Sequence, residues 1–434
     1  MKTLPSKKTN WVEEGMDECV HHRILDCGLA VKIALKKGLQ KKYALFGTNY
    51  GSIDNDFTTS LRKGRQRLPA GIAHFLEHKM FEKEDGDVME RLEALGCSSN
   101  AMTSFNHTGY LIECTDSFQE SLGVLVDFVT NPWFTPALVD KEKGIIAEEI
   151  NMYRDDPSWR GYMGVLESLY ANHPVSVDIA GTVESIQSIT ADDLYLCHNT
   201  FYSPGNMQLA IAGDCDPNEV CDIVEEIVAR NNPGPVEFKR HRRKPRKKPS
   251  VRRQVANMPV SGPKLNLGFR FDPLDLGVPI DEVEMSFDLF MASVLGKGTE
   301  FYSDLYRSNL IDDSFGYSVS VEREYGFIMF SADTGTPEKL EAAILAGFKK
   351  VLAEGPNAAD LRRARRSFYG SFVRGLDSVS TACWNLTDCH VKDAPYLGHG
   401  KQLMKLKLDR IMSTVRKAIE PAGWASYIIK PMDK

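Results

Sequence analysis

The chain has 434 residues, of which 42% are hydrophobic and 26% are charged, and its formal net charge at pH 7 is −6. A chain of this length exceeds what one hydrophobic core usually supports, so two or more domains are expected. The near balance of charges gives no general affinity for polyanions, and no apolar run approaches the ~18 residues that a membrane-spanning helix requires.

The N-terminus and the cysteines bear on the compartment in which the protein works. Residues 1–20 are polar and acidic and lack the apolar centre of a signal peptide. The nine cysteines include no C-x-x-C pair, which disfavours both a disulfide framework and a cysteine–zinc site. We therefore expect a cytoplasmic protein with free thiols.

The segment HFLEH at residues 74–78 contains the outline of a metal site. Pro69 and Gly71 mark a helix start just before it, so the two histidines lie one turn apart on the same helix face. Glu77 lies on the same side. H-x-x-E-H is a metallopeptidase signature in which the histidines bind zinc and the glutamate removes a proton from a water molecule. The alternative is an ordinary core helix with two hydrogen-bonded histidines.

A third ligand is needed, because zinc in hydrolases usually has three protein ligands. The segment that begins at Glu142 predicts a long helix on which Glu142 and Glu149 are two turns apart and share one stripe. Ile145 and Ile146 lie between them and predict that this stripe faces inward, where a carboxylate is costly unless it is paired or binds a metal. Glu149 is the predicted ligand, and Glu142 is predicted to orient a histidine or the substrate. Glu148 is predicted to face solvent or the neighbouring helix, and the alternative is that all three glutamates are surface charges.

The order of the predicted elements indicates a duplicated domain. A strand at 109–116 precedes a helix at 118–129, and a strand at 326–333 precedes a helix at 337–352. The repeat period of about 215 residues is far longer than that of a solenoid. The elements alternate as α+β layers rather than as a βαβ series, so each half is predicted to be an antiparallel sheet with helices packed on one face. Only the first half carries the H-x-x-E-H motif.

A basic, proline-containing segment at 236–258 divides the predicted catalytic domain (1–235) from the predicted homologous domain (259–434). Ten lysines or arginines lie between residues 239 and 253. Such a run can bind nucleic acid. However, it contains no aromatic residue after Phe238, so a solvated interdomain linker is the preferred interpretation.

Together these motifs resemble the pitrilysin/insulysin family of inverzincin metallopeptidases, and in particular its short-chain bacterial processing-peptidase branch. The resemblance covers nearly the whole chain and rests on YGSID at 50–54, HFLEHKMFEKEDGDV at 74–88 and EKGIIAEEINMYRDDPSWR at 142–160. It implies a zinc ion bound by three residues, with Glu77 as the base. The implied ligands are His74, His78 and Glu149.

The resemblance also implies a substrate-binding strand. Ser99, Asn100 and Ala101 would form a sheet edge to which an extended peptide adds, which agrees with the general mode of peptide binding by strand addition. The alternative for Asn100 is a turn or strand-start residue. His107 lies in the same segment, and a structural role is preferred for it over a role as a ligand.

In the second half, family members often carry an arginine and a tyrosine that contact the substrate and stabilise the oxyanion. The segment FGYSV at 315–319 matches the tyrosine region through Tyr317. The arginine position falls near Tyr306, with Arg307 next to it and a few extra residues before Tyr317. Short-chain members generally pair two subunits around a clamshell-like chamber, which implies a homodimer or a heterodimer with a homologous subunit.

The function implied is that of a zinc-dependent endopeptidase that cleaves peptides or short extended polypeptides in a chamber, without a nucleic-acid or membrane partner. One alternative is a protease that matures a ribosomally made peptide. A second is a non-catalytic assembly subunit, since the fold also has structural roles in the wider superfamily. A third is nucleic-acid binding through the basic run. An intact H-x-x-E-H motif together with Glu149 favours the enzyme.

Overall fold

The structure is a computed structural model that describes residues 10–231, 234–246, 248–419 and 423–432. The first nine residues of the polar N-terminal segment lie outside the described residues, as do Pro233, just before the predicted linker, and Lys247, within it. No helix in the described ranges is long and apolar enough to cross a membrane.

The secondary structure consists of short strands and longer helices. The strands are β1 (Asn10–Gly15), β2 (Glu18–Ile24), β3 (Ala30–Leu35), β4 (Lys42–Thr48), β5 (Asp56–Thr59), β6 (Arg62–Arg67), β7 (Glu82–Lys83), β8 (Gly86–Asp87), β9 (Ser98–Thr103), β10 (Thr108–Cys114), β11 (Met207–Gly213), β12 (Phe238–Arg240), β13 (Arg253–Met258), β14 (Lys264–Phe271), β15 (Gly316–Val321), β16 (Gly326–Asp333) and β17 (Trp424–Pro431). The helices are α1 (Ile72–Lys79), α2 (Val88–Ala94), α3 (Phe118–Thr130), α4 (Pro136–Asp155), α5 (Pro157–Leu169), α6 (Val183–Gln187), α7 (Ala191–Phe201), α8 (Pro217–Asn231), α9 (Ile280–Leu295), α10 (Glu300–Arg307), α11 (Pro337–Glu354), α12 (Ala358–Leu376), α13 (Val379–Lys392), α14 (His399–Lys405) and α15 (Leu408–Ala418).

The chain forms two compact units that interleave along the sequence. Unit 1 contains Met1–Ile150, Asp178–His241 and Val373–His399. Unit 2 contains Asn151–Val177, Arg242–Phe372 and Gly400–Lys434. The sequence-based division into 1–235 and 259–434 therefore differs from these units, because two short segments each fold with the opposite half of the chain.

Unit 1 is built on a seven-stranded sheet with the order β1-β2-β3-β11-β4-β10-β9. Neighbouring strands are antiparallel except for β3 and β11, which are parallel. Nearly every residue of β4 and β11 is buried, which shows that both faces of the sheet centre are covered. On one face, α3 packs against β4 and β10, with α8 beside α3. A separate three-stranded sheet has the order β12-β5-β6.

Unit 2 has a five-stranded sheet with the order β13-β17-β14-β16-β15, and its core includes side chains from α9, α11 and α15. Its neighbouring strands are antiparallel except for β13 and β17. The order and the single parallel pair repeat the pattern of unit 1. The predicted α+β class with two homologous units, each with an antiparallel-rich sheet under helices, is confirmed.

The seven-stranded and the five-stranded sheet each carry one helix on their second face. These two helices, α13 and α5, belong to the short segments that fold with the opposite half of the chain, and we call them the exchanged helices. In unit 1, α13 packs against β11 and β4. In unit 2, α5 packs against β17 and β14. Glycines permit the close approach of α5, since a Cβ at Gly161 would lie 2.1 Å from a side-chain atom of Asn266 and one at Gly164 would lie 2.2 Å from the ring of Tyr427.

The basic segment at 236–258 is partly structured, with β12 near its start and β13 at its end. Several of its basic side chains form ion pairs inside their own unit. These pairs are Arg240 with Asp54, Arg242 with Glu324, Lys244 with Asp275, and Arg253 with Glu341. Positive charge that is already paired with carboxylates is less available to a polyanion.

Candidate metal centre

Helix α1 holds the H-x-x-E-H motif in the core of unit 1. It begins after Gly71, whose φ of 88° lies in the left-handed region. A Cβ at Gly71 would lie 2.3 Å from the carbonyl oxygen of Ala180, so only glycine fits there. Nearly all residues of α1 are buried, which fixes its orientation. His74 and His78 therefore lie one turn apart, with their ring centroids 4.5 Å from each other.

Both histidines face the carboxylate of Glu149 from α4. Oε1 of Glu149 lies 3.6 Å from Nε2 of His74, and Oε2 lies 3.5 Å from Nε2 of His78. These distances are longer than good hydrogen bonds. Two ligand atoms held 2.0–2.1 Å from a tetrahedral zinc ion lie ~3.4 Å apart. The three groups therefore fit a shared zinc ion.

A second set of three residues could also bind a metal, with Glu77 in place of Glu149 as the third ligand. One ligand atom each from His74, Glu77 and His78 can be chosen such that all three lie within 4.8 Å of one another. We prefer Glu149 to Glu77 as the ligand because the Glu149 carboxylate faces both Nε2 atoms at tetrahedral spacing. Glu77 already accepts a hydrogen bond from Thr103, with 3.0 Å between Oγ1 and Oε2.

Glu142 lies behind His78. Its Oε1 is 3.1 Å from Nδ1 of His78, and its Oε2 is 3.3 Å from Nζ of Lys79. Burial raises the pKa of Glu142, but the His78 hydrogen bond and the Lys79 charge outweigh burial, so the net pKa is lowered. A charged carboxylate at Nδ1 favours the tautomer with the proton on Nδ1, which turns the lone pair of Nε2 toward Glu149.

Glu77 is 8% exposed. Burial raises its pKa, while His74, His78 and the Thr103 hydrogen bond offset part of that increase. A carboxylate whose pKa is raised toward neutrality is better suited to accept a proton and return it.

The sequence predicted which residues of α4 face the core, and this prediction is correct for some of them. Glu142 and Ile146 are buried, and Glu148 is exposed, as expected. Ile145 is 50% exposed, so the prediction that it points inward is wrong. The buried residues of α4 follow each other at intervals of four, through Glu142, Ile146 and Ile150. Ile145 lies three positions after Glu142 and is therefore outside this buried row.

Ser99, Asn100 and Ala101 lie in β9, the last strand of the seven-stranded sheet. They pair with Ile112, Leu111 and Tyr110 of β10 in antiparallel register. Within the part of the chain that the structure describes, no strand pairs with the outer side of β9. Asn100 is thus an exposed residue inside a strand rather than in a turn.

Tyr317 and Arg307 belong to unit 2. Tyr317 lies in β15, an edge strand of the five-stranded sheet, and lines a cavity of about 540 Å³ together with Tyr162 and Asn266. Burial raises the pKa of Tyr317 to about 12, so its hydroxyl stays protonated and can donate. Arg307 ends α10, and its 69% exposed side chain pairs with Asp304 at 2.6 Å.

His107 lies between β9 and β10, and both of its ring nitrogens are buried. Burial lowers its pKa to about 4, so it is neutral at pH 7. It packs so closely on β4 that a Cβ at Gly47 would lie 2.2 Å from its ring. This environment supports the structural role that the sequence favoured.

Sequence reasoning did not single out Lys79 or Thr103. Lys79 directly follows the motif, but a lysine at a helix end is ordinarily solvated, so its position alone gave no signal. Thr103 ends β9, which contains the residues predicted to bind the substrate. Side chains two residues apart in a strand lie on the same face, so the sequence could have placed Thr103 beside Ala101.

Comparison with known proteins identifies the family of the chain. Residues 67–183 match the family described as Insulinase (Peptidase family M16), and residues 188–368 match the Peptidase M16 inactive domain. The chain is 41% identical over 408 residues to the "Uncharacterized zinc protease YmfH" of Bacillus subtilis (strain 168), with 94% of this chain and 95% of that protein covered. The chain therefore belongs to the insulinase family, peptidase family M16.

Solved structures share the fold. An M16-like peptidase from Alicyclobacillus acidocaldarius superimposes with a TM-score of 0.91 at 31% identity and covers 96% of this chain and 100% of that one. A protease from Helicobacter pylori has a TM-score of 0.80 at 19% identity, covering 98% and 100% of the two chains. The second likeness concerns the fold alone. The resemblance to pitrilysin and insulysin that the motifs indicated is confirmed.

Proposed function

We propose that the protein is a zinc-dependent endopeptidase that cleaves peptides or short extended polypeptides. The observation that carries the proposal is the Glu149 carboxylate, which faces Nε2 of both His74 and His78 at tetrahedral ligand spacing. Similarity to relatives named zinc proteases supports zinc as the metal.

His74, His78 and Glu149 would hold the ion, and Glu142 would orient His78. A bound zinc ion would supply Lewis-acid activation of a water molecule and polarise the scissile carbonyl. Glu77 would accept the proton of that water molecule and pass it to the leaving amine. The Thr103 hydrogen bond holds one oxygen of Glu77 and thereby aims the other.

The substrate would bind as an added strand along β9. Main-chain groups of Ser99, Asn100 and Ala101 would pair with the peptide, and their exposed edge supports this mode. Main-chain pairing selects an extended chain more than a sequence. Tyr317 and Arg307 are proposed as hydrogen-bond donors to the oxyanion. The Tyr317 hydroxyl stays protonated and can therefore donate.

We further propose that the working form is a dimer, either with itself or with a homologous subunit, enclosing a chamber. We place the enzyme in the cytoplasm, because its nine cysteines are all free thiols and a reducing compartment keeps them so. Maturation of a ribosomally made peptide would use the same chemistry on one dedicated substrate.

The test combines metal analysis with hydrolysis of a quenched-fluorescent peptide. Protein purified without chelator should contain about one zinc ion per chain and cleave the peptide. His74→Ala should lose the zinc. Glu77→Gln should keep the zinc and the fold but lose most activity, since it removes the base and leaves a group of similar size. Unchanged zinc in His74→Ala, or full turnover by Glu77→Gln, would refute the proposal. A folded, zinc-containing wild type without activity alone or with a homologous chain would favour an assembly subunit.

A further inference from the structure

Lys79, the residue directly after the H-x-x-E-H motif, is a lysine with no exposed surface. Its ammonium group pairs with Glu82 and lies 3.3 Å from Oε2 of Glu142. Burying charges costs free energy that pairing only partly offsets, and well-packed apolar side chains often replace a whole buried ion pair without loss of stability. Fold stability alone therefore gives a weak reason for a lysine at this position.

The Glu142 carboxylate lies between Lys79 and His78. Its two oxygens have different partners, since Oε1 is bonded to Nδ1 of His78 and Oε2 faces Lys79. A carboxylate held at one oxygen can still rotate about its last bond. Contacts at both oxygens define its plane and therefore the direction of the bond to His78.

We infer that Lys79 is a positioning residue for the metal centre. It acts through Glu142 to fix the orientation and tautomer of His78, and thereby sets the affinity of the site for the metal. The inference rests on the proposed function. The competing explanation is that Lys79 ties α1 to β7 through Glu82 and has no influence on the metal.

The experiment measures the dissociation constant of zinc by competition with a chelator, for Lys79→Met, Glu142→Gln and the double variant. Loss of a residue that orients a zinc-binding histidine typically weakens zinc binding by about 10–100-fold. We expect Glu142→Gln to fall in that range and Lys79→Met to weaken binding by about tenfold. Because Lys79 acts through Glu142, the double variant should bind zinc no more weakly than Glu142→Gln alone.

Lys83→Met is the matched control. Lys83 follows Lys79 by four residues and donates to the main-chain carbonyls of Phe128 and Asn131 at the end of α3. Its loss tests the general effect of removing a hydrogen-bonded lysine from this region, and the zinc dissociation constant should stay within about twofold of wild type.

Wild-type zinc affinity in Lys79→Met, or effects that multiply in the double variant, would overturn the inference. If Lys79→Met does not fold, Lys79→Gln takes its place with the same expectation, because its side chain is one atom too short to keep the contact with Glu142. Failure of the proposed function would look different. In that case the wild type itself would bind zinc no better than His78→Ala.

Discussion

The hydroxyl of Thr103 donates a hydrogen bond of 3.0 Å to Oε2 of Glu77. Thr103 is the last residue of the edge strand β9, and Glu77 lies in α1, so this bond joins the strand proposed to bind the substrate to the residue proposed as the base. One oxygen of Glu77 is thereby held in place, and the direction of the other is defined.

Replacing Thr103 with valine should lower kcat by about tenfold or more with little change in KM, since a hydrogen bond to a charged group contributes about 1.5–3 kcal/mol. The zinc content should not change, because Thr103 contacts the proposed base and not the proposed ligands. Thr103→Ser keeps the hydroxyl and should retain most activity. Wild-type kcat in Thr103→Val would show that the bond has no part in catalysis.

Substitutions of Glu149 and of its neighbour Glu148 form a matched pair of variants that tests which residue is the third zinc ligand. Glu149→Gln should lose zinc at equilibrium dialysis, because an amide oxygen is a weaker ligand than a carboxylate. Glu148→Gln should keep it, because the Glu148 side chain is exposed on another face of α4. The reverse pattern would assign the ligand to Glu148. Retention of zinc by both variants would favour the grouping that includes Glu77.

Tyr317 is tested by removal of its hydroxyl. Tyr317→Phe keeps the packing and should lower kcat by about 10²-fold if the hydroxyl donates to the oxyanion. Arg307→Ala should have a smaller effect, since the Arg307 side chain is exposed and paired with Asp304. Steady-state kinetics on the same peptide separates kcat from KM. Equal, wild-type kcat in both variants would remove both residues from the proposed mechanism.

The parts of the site that the sequence predicted are those set by local regularity. The helical period places His74 beside His78 and Glu142 on one stripe with Glu149, and both relationships are present. The exposure of Ile145 was not predictable, because two neighbouring isoleucines are equally apolar and only the packing of α4 decides which one is buried.

Contacts between distant segments account for what the sequence did not predict. A lysine at a helix end is ordinarily exposed, and the burial of Lys79 depends on a glutamate from α4 that lies 63 residues away. The exchange of α5 and α13 likewise depends on tertiary packing, such as the close approach of Gly161 and Gly164 to the sheet of unit 2. Spacing along one element carries no information about either contact.

The neutral ring of His107, whose nitrogens are buried, should make stability depend on pH. The pKa of a histidine is near 6.5 in an unfolded chain and about 4 at this position. Between these values the unfolded state binds a proton that the native state does not, so stability falls as pH falls from 6.5 to 4. His107→Gln should reduce the slope of the unfolding free energy by up to about 1.4 kcal/mol per pH unit in this window.

Urea unfolding at pH 5, 6, 7 and 8 measures this slope for wild type and His107→Gln. Above pH 7 both states of His107 are neutral, so the two proteins should then show parallel pH dependence, which serves as the internal control. If wild type and His107→Gln had the same slope between pH 5 and 6, His107 would gain a proton in the native state as readily as in the unfolded chain.

Assembly is the last prediction, and it follows from the exposure of the proposed site. In the single chain, the side chain of His78 is 26% exposed and that of Glu149 is 22% exposed. Asn100 is exposed on β9, whose outer edge pairs with no strand among the described residues. Water at a charged site weakens the electrostatic interactions on which catalysis depends. A second subunit that covers this face would exclude water and could contribute oxyanion donors.

We therefore expect activity to follow the dimer rather than the monomer. Mass measured by light scattering and specific activity should fall together when the protein is diluted, because dissociation exposes the site to water. Pure protein that is inactive but gains activity on addition of a homologous chain would identify a heterodimer, whereas a pure dimer with full activity would identify a homodimer. A strictly monomeric protein whose specific activity does not change with concentration would rule out the proposed assembly, because a single chain would then hold every group that the reaction needs.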